Sequence, residues 1–202
     1  MTLRLLLIQR AARLQQRPAF SCAPWPTIYY AGFRNRVEGV GFGLLAANLE
    51  AVHASTGTPW DWMAELAAAA AGLRWDPAAP PVPAGILGGE AFNAEAGRGL
   101  FHDREAQVTE DTPFTSTLSQ GEFHRRLARL NLHLGWDHDT VARLPHAAWG
   151  TPALRGALWS ALYAGAHAVL VTESDAAKKA GGWFAPKPVP LEDLEPFSEL
   201  GL

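Results

Sequence analysis

Between His124 and Trp149 the chain gathers four of its seven histidines (His124, His133, His138 and His146), together with Asp137, Asp139, Trp136 and Trp149. Imidazole and carboxylate groups in such numbers can bind a divalent metal or move a proton. Helix geometry divides the group. Ser119, with Glu122 three residues on, forms a capping-box pattern, and Phe123, Leu127, Leu130 and Leu134 follow at helical spacing. In the helix this predicts, at about 100° per residue, His124 and His133 face opposite sides and cannot share an ion. Arg126, Arg129 and His133 make its polar face. What remains for a metal is Asp137, His138 and Asp139, a set suited to zinc, iron or manganese. The competing and favoured reading makes Asp137 the N-cap of a helical turn containing Val141, Ala142 and Leu144, after a helix end at Gly135. No cofactor is therefore expected, and a divalent metal at Asp137, His138 and Asp139 is the alternative.

Other chemistry-bearing residues are more scattered. Glu50 and His53 form a single ExxH pair, whereas carboxylate-bridged metal proteins use two. Glu173 and Asp175 follow an apolar run, where α/β enzymes place catalytic carboxylates, but a turn and helix cap explain them equally well. The chain has no GxxxxGK[ST] phosphate loop, no GxSxG elbow and no HExxH helix, and Gly39, Gly41 and Gly43 do not have dinucleotide-fingerprint spacing. The single cysteine, Cys22, excludes an internal disulfide framework and fits a reducing compartment; its apolar and proline-rich surroundings favour an inert thiol. Catalysis has no positive motif behind it.

The aromatic and charged residues point instead to partners. Trp159 reads as core beside Leu158 and Leu162, but Trp136, Trp149, Trp183 and Phe184 lie near turns or the tail and are candidate partner-binding residues, since tryptophan is enriched at interface hot spots. Before the first acid, Glu38, the chain carries Arg4, Arg10, Arg13, Arg17, Arg34 and Arg36; beyond Leu191 it is acidic, although the sum is only −3. Arg10, Arg13, Arg17, Arg34 and Arg36, with Tyr29, Tyr30 and Phe33 nearby, are the candidate nucleic-acid contacts if the chain binds RNA or a single strand.

The elements that position these groups follow from turn chemistry. Met1 to Phe20 reads as an amphipathic helix with Arg10, Arg13 and Arg17 on one face, as a strand over Leu3 to Ile8, or as an arginine-rich presequence. Pro24 and Pro26 keep Ser21 to Pro26 out of a helix, Thr27 to Tyr30 reads as a strand, and Gly39, Gly41 and Gly43 break the chain before a helix over Leu44 to His53. Thr58–Pro59 and Thr151–Pro152 each supply an N-cap and first-turn proline, with Gly72 and Gly165 ending those helices. His167 to Thr172 reads as a buried strand.

These elements imply an α+β fold, predominantly α-helical with a few short strands and an extended proline-rich C-terminal tail. One globular domain is expected over residues 1–182, with a candidate internal boundary in the proline- and glycine-rich stretch 76–99 and the tail over 183–202. With 202 residues, 48% of them hydrophobic, the chain can bury an ordinary core, and no apolar run is long enough to span a membrane. The expected function is a non-catalytic binding or assembly subunit, cytoplasmic or in a mitochondrial matrix, engaging other protein subunits or its own copies. RNA or single-strand binding and a metal-dependent enzyme are the alternatives.

Overall fold

The computed structural model describes residues 1–87, 95–172 and 194–202. Helix α1 (Leu3–Leu14) opens the fold, its Thr2 hydroxyl accepting from the Leu5 amide. Leu3, Leu6, Leu7 and Ala11 recur at helical spacing and are buried, which decides for helix over the alternative strand at Leu3 to Ile8. Because α1 ends at Leu14, Arg17 lies beyond it and does not share a helical face with Arg10 and Arg13.

Two short strands follow, β1 (Pro18–Cys22) and β2 (Ile28–Tyr29), and then α2 (Tyr30–Ala46). Here the sequence expectation fails. Gly39, Gly41 and Gly43 lie inside α2, and the expected helix over Leu44 to His53 is instead its last turn, a loop and β3 (Ala51–Val52). Glycine costs about 1 kcal/mol in a helix relative to alanine, but tertiary packing requires it: a Cβ on Gly41 would stand 2.8 Å from the Phe101 ring. Phe101 belongs to α5 (Glu95–Asp103), which packs across α2. Between them come α3 (Pro59–Ala71), β4 (Arg74–Trp75) and the single turn α4 (Ala84–Leu87).

The three capped helices form as their sequences require. Thr58, Ser119 and Thr151 cap α3, α6 (Gln120–Leu134) and α7 (Pro152–Ala164), and Gly72, Gly135 and Gly165 end them with φ of 69°, 63° and 81°. The capping box at α6 is half made: Ser119 accepts from the Glu122 amide at 3.2 Å, but the Glu122 carboxylate turns to Arg126 at 2.8 Å.

After α6 the chain does not enter the helical turn expected from Asp137. It forms β5 (Val141–Pro145), in which Ala142 and Leu144 alternate inward with period two. A 3-10 turn (His146–Ala148) leads to α7, and β6 (His167–Val171) closes a βαβ unit parallel to β5. Sheet order is β2-β1-β6-β5, with β1 and β5 parallel to β6 and β2 antiparallel to β1; β3 and β4 form a separate parallel pair. A last turn, α8 (Glu195–Ser198), seats Phe197 against Trp136, with ring centroids 5.6 Å apart. The architecture is α+β with more helix than strand. Residues 183–193 of the expected tail lie outside the described residues, as do Glu173 and Asp175. Among the described residues no helix is long and apolar enough to cross a membrane.

Candidate functional site

Helix α3 is buried almost all round, yet its run of tryptophan, methionine and alanine carries Asp61 and Glu65. Charged groups are almost never buried unpaired, so each must find partners from other elements. Glu65, whose side chain is 2% exposed, receives Arg155 of α7 through two hydrogen bonds of 2.7 Å, and its Oε1 also accepts from the Trp159 indole at 2.9 Å. Both residues of this bidentate pair face the same opening.

Asp61 does a different job. As an acid in the first turn of α3 it accepts from the Thr56 amide (2.7 Å), the Thr56 hydroxyl (2.6 Å) and the Gly57 amide (2.9 Å), which fixes the loop entering the helix. Its Oδ2 also accepts from the Trp149 indole N–H at 3.0 Å. The βαβ connection that carries Trp149 is thereby tied to the start of α3. Gly150, at φ 81°, lets the chain reverse there into the Thr151 cap.

These ties enclose a cavity of about 310 Å³ between α3, α7 and the ends of β3 and β4. Trp62, Trp75 and Trp149 supply aromatic wall, Leu154 and Leu158 aliphatic wall, and His53 sits edge-on to Trp75 with centroids 6.0 Å apart. Arg155 lies over the Trp75 ring at 5.0 Å, a cation–π contact that helps hold the guanidinium at the wall. Below the cavity Trp62 meets Trp159 edge to face at 5.0 Å, and Trp159, fully buried, also contacts Phe114 and Phe123. The indole walls thus rest on a packed aromatic floor.

The groups singled out in the sequence fall elsewhere, with two exceptions, Trp149 and His53. Trp149 is at the cavity; Trp136 packs on Phe197, and Trp183 and Phe184 lie outside the described residues. Asp137 is exposed and closes its own turn, accepting from the Asp139 amide (2.9 Å) and the Thr140 hydroxyl (3.1 Å), which holds its carboxyl below the usual range. Asp139 pairs with Arg17 at 2.7 Å, and His138 Nε2 is 3.5 Å from Asp139. Among the described residues no three histidine, cysteine or acidic side chains are grouped to hold a metal ion. Arg10 donates to the Tyr163 carbonyl, and Arg34 pairs with Glu38 at 2.6 Å; Arg13 is exposed and Arg36 half-buried. Glu50 and His53 are not on a helix at all.

Sequence reasoning missed Asp61, Glu65 and Arg155. The available signal was Asp61 and Glu65 themselves, two carboxylates in an otherwise apolar helix. The partner of Glu65, ninety residues away, has no local mark.

No family model matches the sequence, and no curated protein does. Solved structures do match in fold. The Klebsiella oxytoca NpsA N-terminal subdomain in complex with 3-hydroxybenzoyl-AMSN superposes with a TM-score of 0.56 at 18% identity, covering 84% of this chain and 53% of that one. NpsA-ThdA, an artificially fused adenylation–PCP di-domain NRPS from the same organism, gives 0.56 at 16% identity over 84% and 39%. ATP-bound MatB from Rhodopseudomonas palustris gives 0.59 at 18% identity over 85% and 45%. The chain thus spans about half or less of each of these three solved chains. What the chain shares with part of each of these proteins, an adenylation di-domain among them, is the fold. This overturns the expectation of a non-catalytic binding or assembly subunit, and with it the RNA- or single-strand-binding alternative. The arginines on which that alternative stood are largely engaged within the chain, Arg10, Arg17 and Arg34 among them.

Proposed function

We propose that the chain works as an adenylation-type enzyme or as the acid-binding part of one, activating a small carboxylic acid with ATP. The observation that supports this is the fold shared with an adenylation di-domain and with ATP-bound MatB over more than four-fifths of the chain. In such a reaction a carboxylate oxygen attacks the α-phosphorus of ATP, an acyl-adenylate forms and pyrophosphate leaves.

The cavity suits the body of the acid rather than the triphosphate. Its volume of about 310 Å³ is at the small end of ligand sites, and Trp62, Trp75, Trp149, Leu154 and Leu158 give it an apolar side. Its one guanidinium, Arg155, is held bidentate by Glu65, so the cavity offers phosphate no free cation among the described residues. Asp61 and Glu65 are positioning residues: one ties Trp149 to the start of α3, the other fixes Arg155 and the Trp159 floor. Small aromatic acids are a natural first panel, NpsA having been solved with 3-hydroxybenzoyl-AMSN.

The test is acid-dependent exchange of labelled pyrophosphate into ATP by the full chain, across a panel of benzoates, short aliphatic acids and amino acids. Exchange with at least one acid, with KM raised about tenfold by Trp149→Leu, is the expected result. No exchange with any acid, and no enhancement of acid binding by ATP, overturns the reading.

A further inference from the structure

The outer face of the four-stranded sheet carries polar groups that the cavity does not use. Cys22, Leu144 and Leu170 are buried in the core, so the alternate residues Ser21, Arg143 and Val169 share the opposite, half-buried face. They lie in one row, because Ser21 and Arg143 are both in register with Val169, from β1 on one side of β6 and from β5 on the other. His167, two residues before Val169, is on the same face. None of these four residues borders the cavity.

Two features of this face point to chemistry. The first is a hydroxyl against a base: Ser21 Oγ lies 2.8 Å from His167 Nε2 and 2.8 Å from Thr27 Oγ1. With Thr27 donating to Ser21, the Ser21 proton is directed at the imidazole, which is the contact that activates a serine nucleophile. Burial lowers the pKa of His167, so the ring is largely neutral at pH 7 and able to take that proton. Thr27 is exposed, which leaves the serine end of the pair open to solvent. The second feature is an unmet cation. Arg143 makes no ion pair among the described residues, and its Nε is shielded from water with no hydrogen-bond partner. A buried donor left in this state is costly, and a bound anion would satisfy it. At the usual spacing of strands, Arg143 and Ser21 stand about 10 Å apart in their row, a gap that the arginine side chain and a short anionic acyl chain together span.

We propose that this face is a second site, at which Ser21 takes the acyl group from an activated ester of a short dicarboxylic acid, with His167 as general base and Arg143 holding the second carboxylate. Ser21 Oγ attacks the ester carbonyl carbon while its proton passes to His167 Nε2. The bond from that carbon to the leaving oxygen breaks, the oxygen departs with the electron pair, and His167 releases its proton to it or to water. Water then attacks the seryl ester, losing a proton to the same imidazole; the free acid leaves and Ser21 recovers its hydroxyl proton. The net change is ester plus water to acid plus alcohol. No step needs ATP, so the site stands apart from the adenylation reading.

The test uses the full chain without ATP and two probes, mono-4-nitrophenyl succinate and 4-nitrophenyl acetate. Mixed with the succinate ester, the chain should release a burst of about one nitrophenolate per molecule, and mass spectrometry of its peptides should place the succinyl group on Ser21. Ser21→Ala should abolish the burst, and His167→Asn should slow it by about a hundredfold or more. The succinate ester should react about tenfold faster than the acetate ester, a preference that Arg143→Met should remove. No burst above that of the S21A chain overturns the proposal, as does a label found only on other residues or an undiminished rate in a folded H167N protein. Equal rates for the two esters overturn the role of Arg143. Should H167N fail to fold, carbethoxylation of His167 in the unaltered chain should suppress the labelling of Ser21 in proportion; labelling that persists on fully modified chain counts against the proposal. Pyrophosphate exchange is a separate reaction, so its failure and the failure of the burst are distinguishable.

Discussion

Two regions of this molecule carry carboxylates and basic groups in quantity, and they differ in almost everything else. The turn at Asp137–Asp139 concentrates its groups in sequence, but all three side chains are exposed and satisfy one another, Arg17 or the local backbone. The cavity draws Asp61, Glu65, Arg155 and Trp149 from two stretches far apart in the chain, and buries Asp61 and Glu65. Density along the chain marks a polar turn; convergence in space with loss of water marks the candidate site. Electrostatic contacts gain strength with burial and lose it with exposure, so the two regions should respond to the same kind of mutation on different scales.

The largest expected difference is at Glu65. Glu65→Ala would leave the Arg155 guanidinium and the Trp159 N–H at a buried wall without their acceptor, and breaking a buried pair from one side costs about 3–5 kcal/mol. Urea unfolding should show this as a lower midpoint. Adding Arg155→Met should recover part of the loss, because the double change removes the stranded charge. A loss below about 1 kcal/mol, the scale of an exposed pair, would erase the contrast between the regions.

The glycines of α2 come next, and they also show what could be read from sequence. The caps Thr58, Ser119 and Thr151 and the stops Gly72, Gly135 and Gly165 were legible because a helix end is decided by a few adjacent residues. Gly39, Gly41 and Gly43 were not; for Gly41 the reason is the ring of Phe101, sixty residues on. The same holds for Val141–Pro145, where five residues fit either a helical turn or a strand until β6 supplies the partner. Trp149 could be named as a surface-seeking aromatic, but nothing near it in sequence told of Asp61. Gly41→Ala tests the packing explanation directly. Its Cβ would meet a Phe101 ring already held between Arg4 at 4.2 Å and Phe42 at 5.3 Å, so it should destabilise by about 1–3 kcal/mol despite the better helix propensity. Gly99→Ala, on α5 with open space around its Cβ, should stabilise slightly in the same thermal melt.

His167 stands between the two extremes, half-buried at the start of β6 with Nε2 2.8 Å from the Ser21 hydroxyl. Burial pushes its pKa down, and His124 is shifted in the same direction, mainly for the same cause. A histidine with a lowered folded-state pKa binds fewer protons folded than unfolded. Its contribution is therefore complete above the unfolded value of about 6.5 and declines as pH falls below it. Stability measured by urea midpoint should fall between about pH 7 and pH 5, and His167→Asn should flatten part of that slope while leaving the value near pH 8 less affected.

The smallest effect belongs to the region that looked richest in sequence. Asp139→Asn removes the anion from a pair whose side chains are 45% and 69% exposed, where solvent screening leaves about 0–1 kcal/mol at stake. The His138 carbonyl still accepts from Arg17 at 2.5 Å, so even the position of that guanidinium need not change. The unfolding midpoint should move by less than about 0.5 kcal/mol equivalent, and pyrophosphate exchange should be unaltered, since the residue does not touch the cavity. A loss from Asp139→Asn comparable to that from Glu65→Ala would mean that the exposed turn contributes as much as the buried pair, and burial would no longer distinguish the two regions.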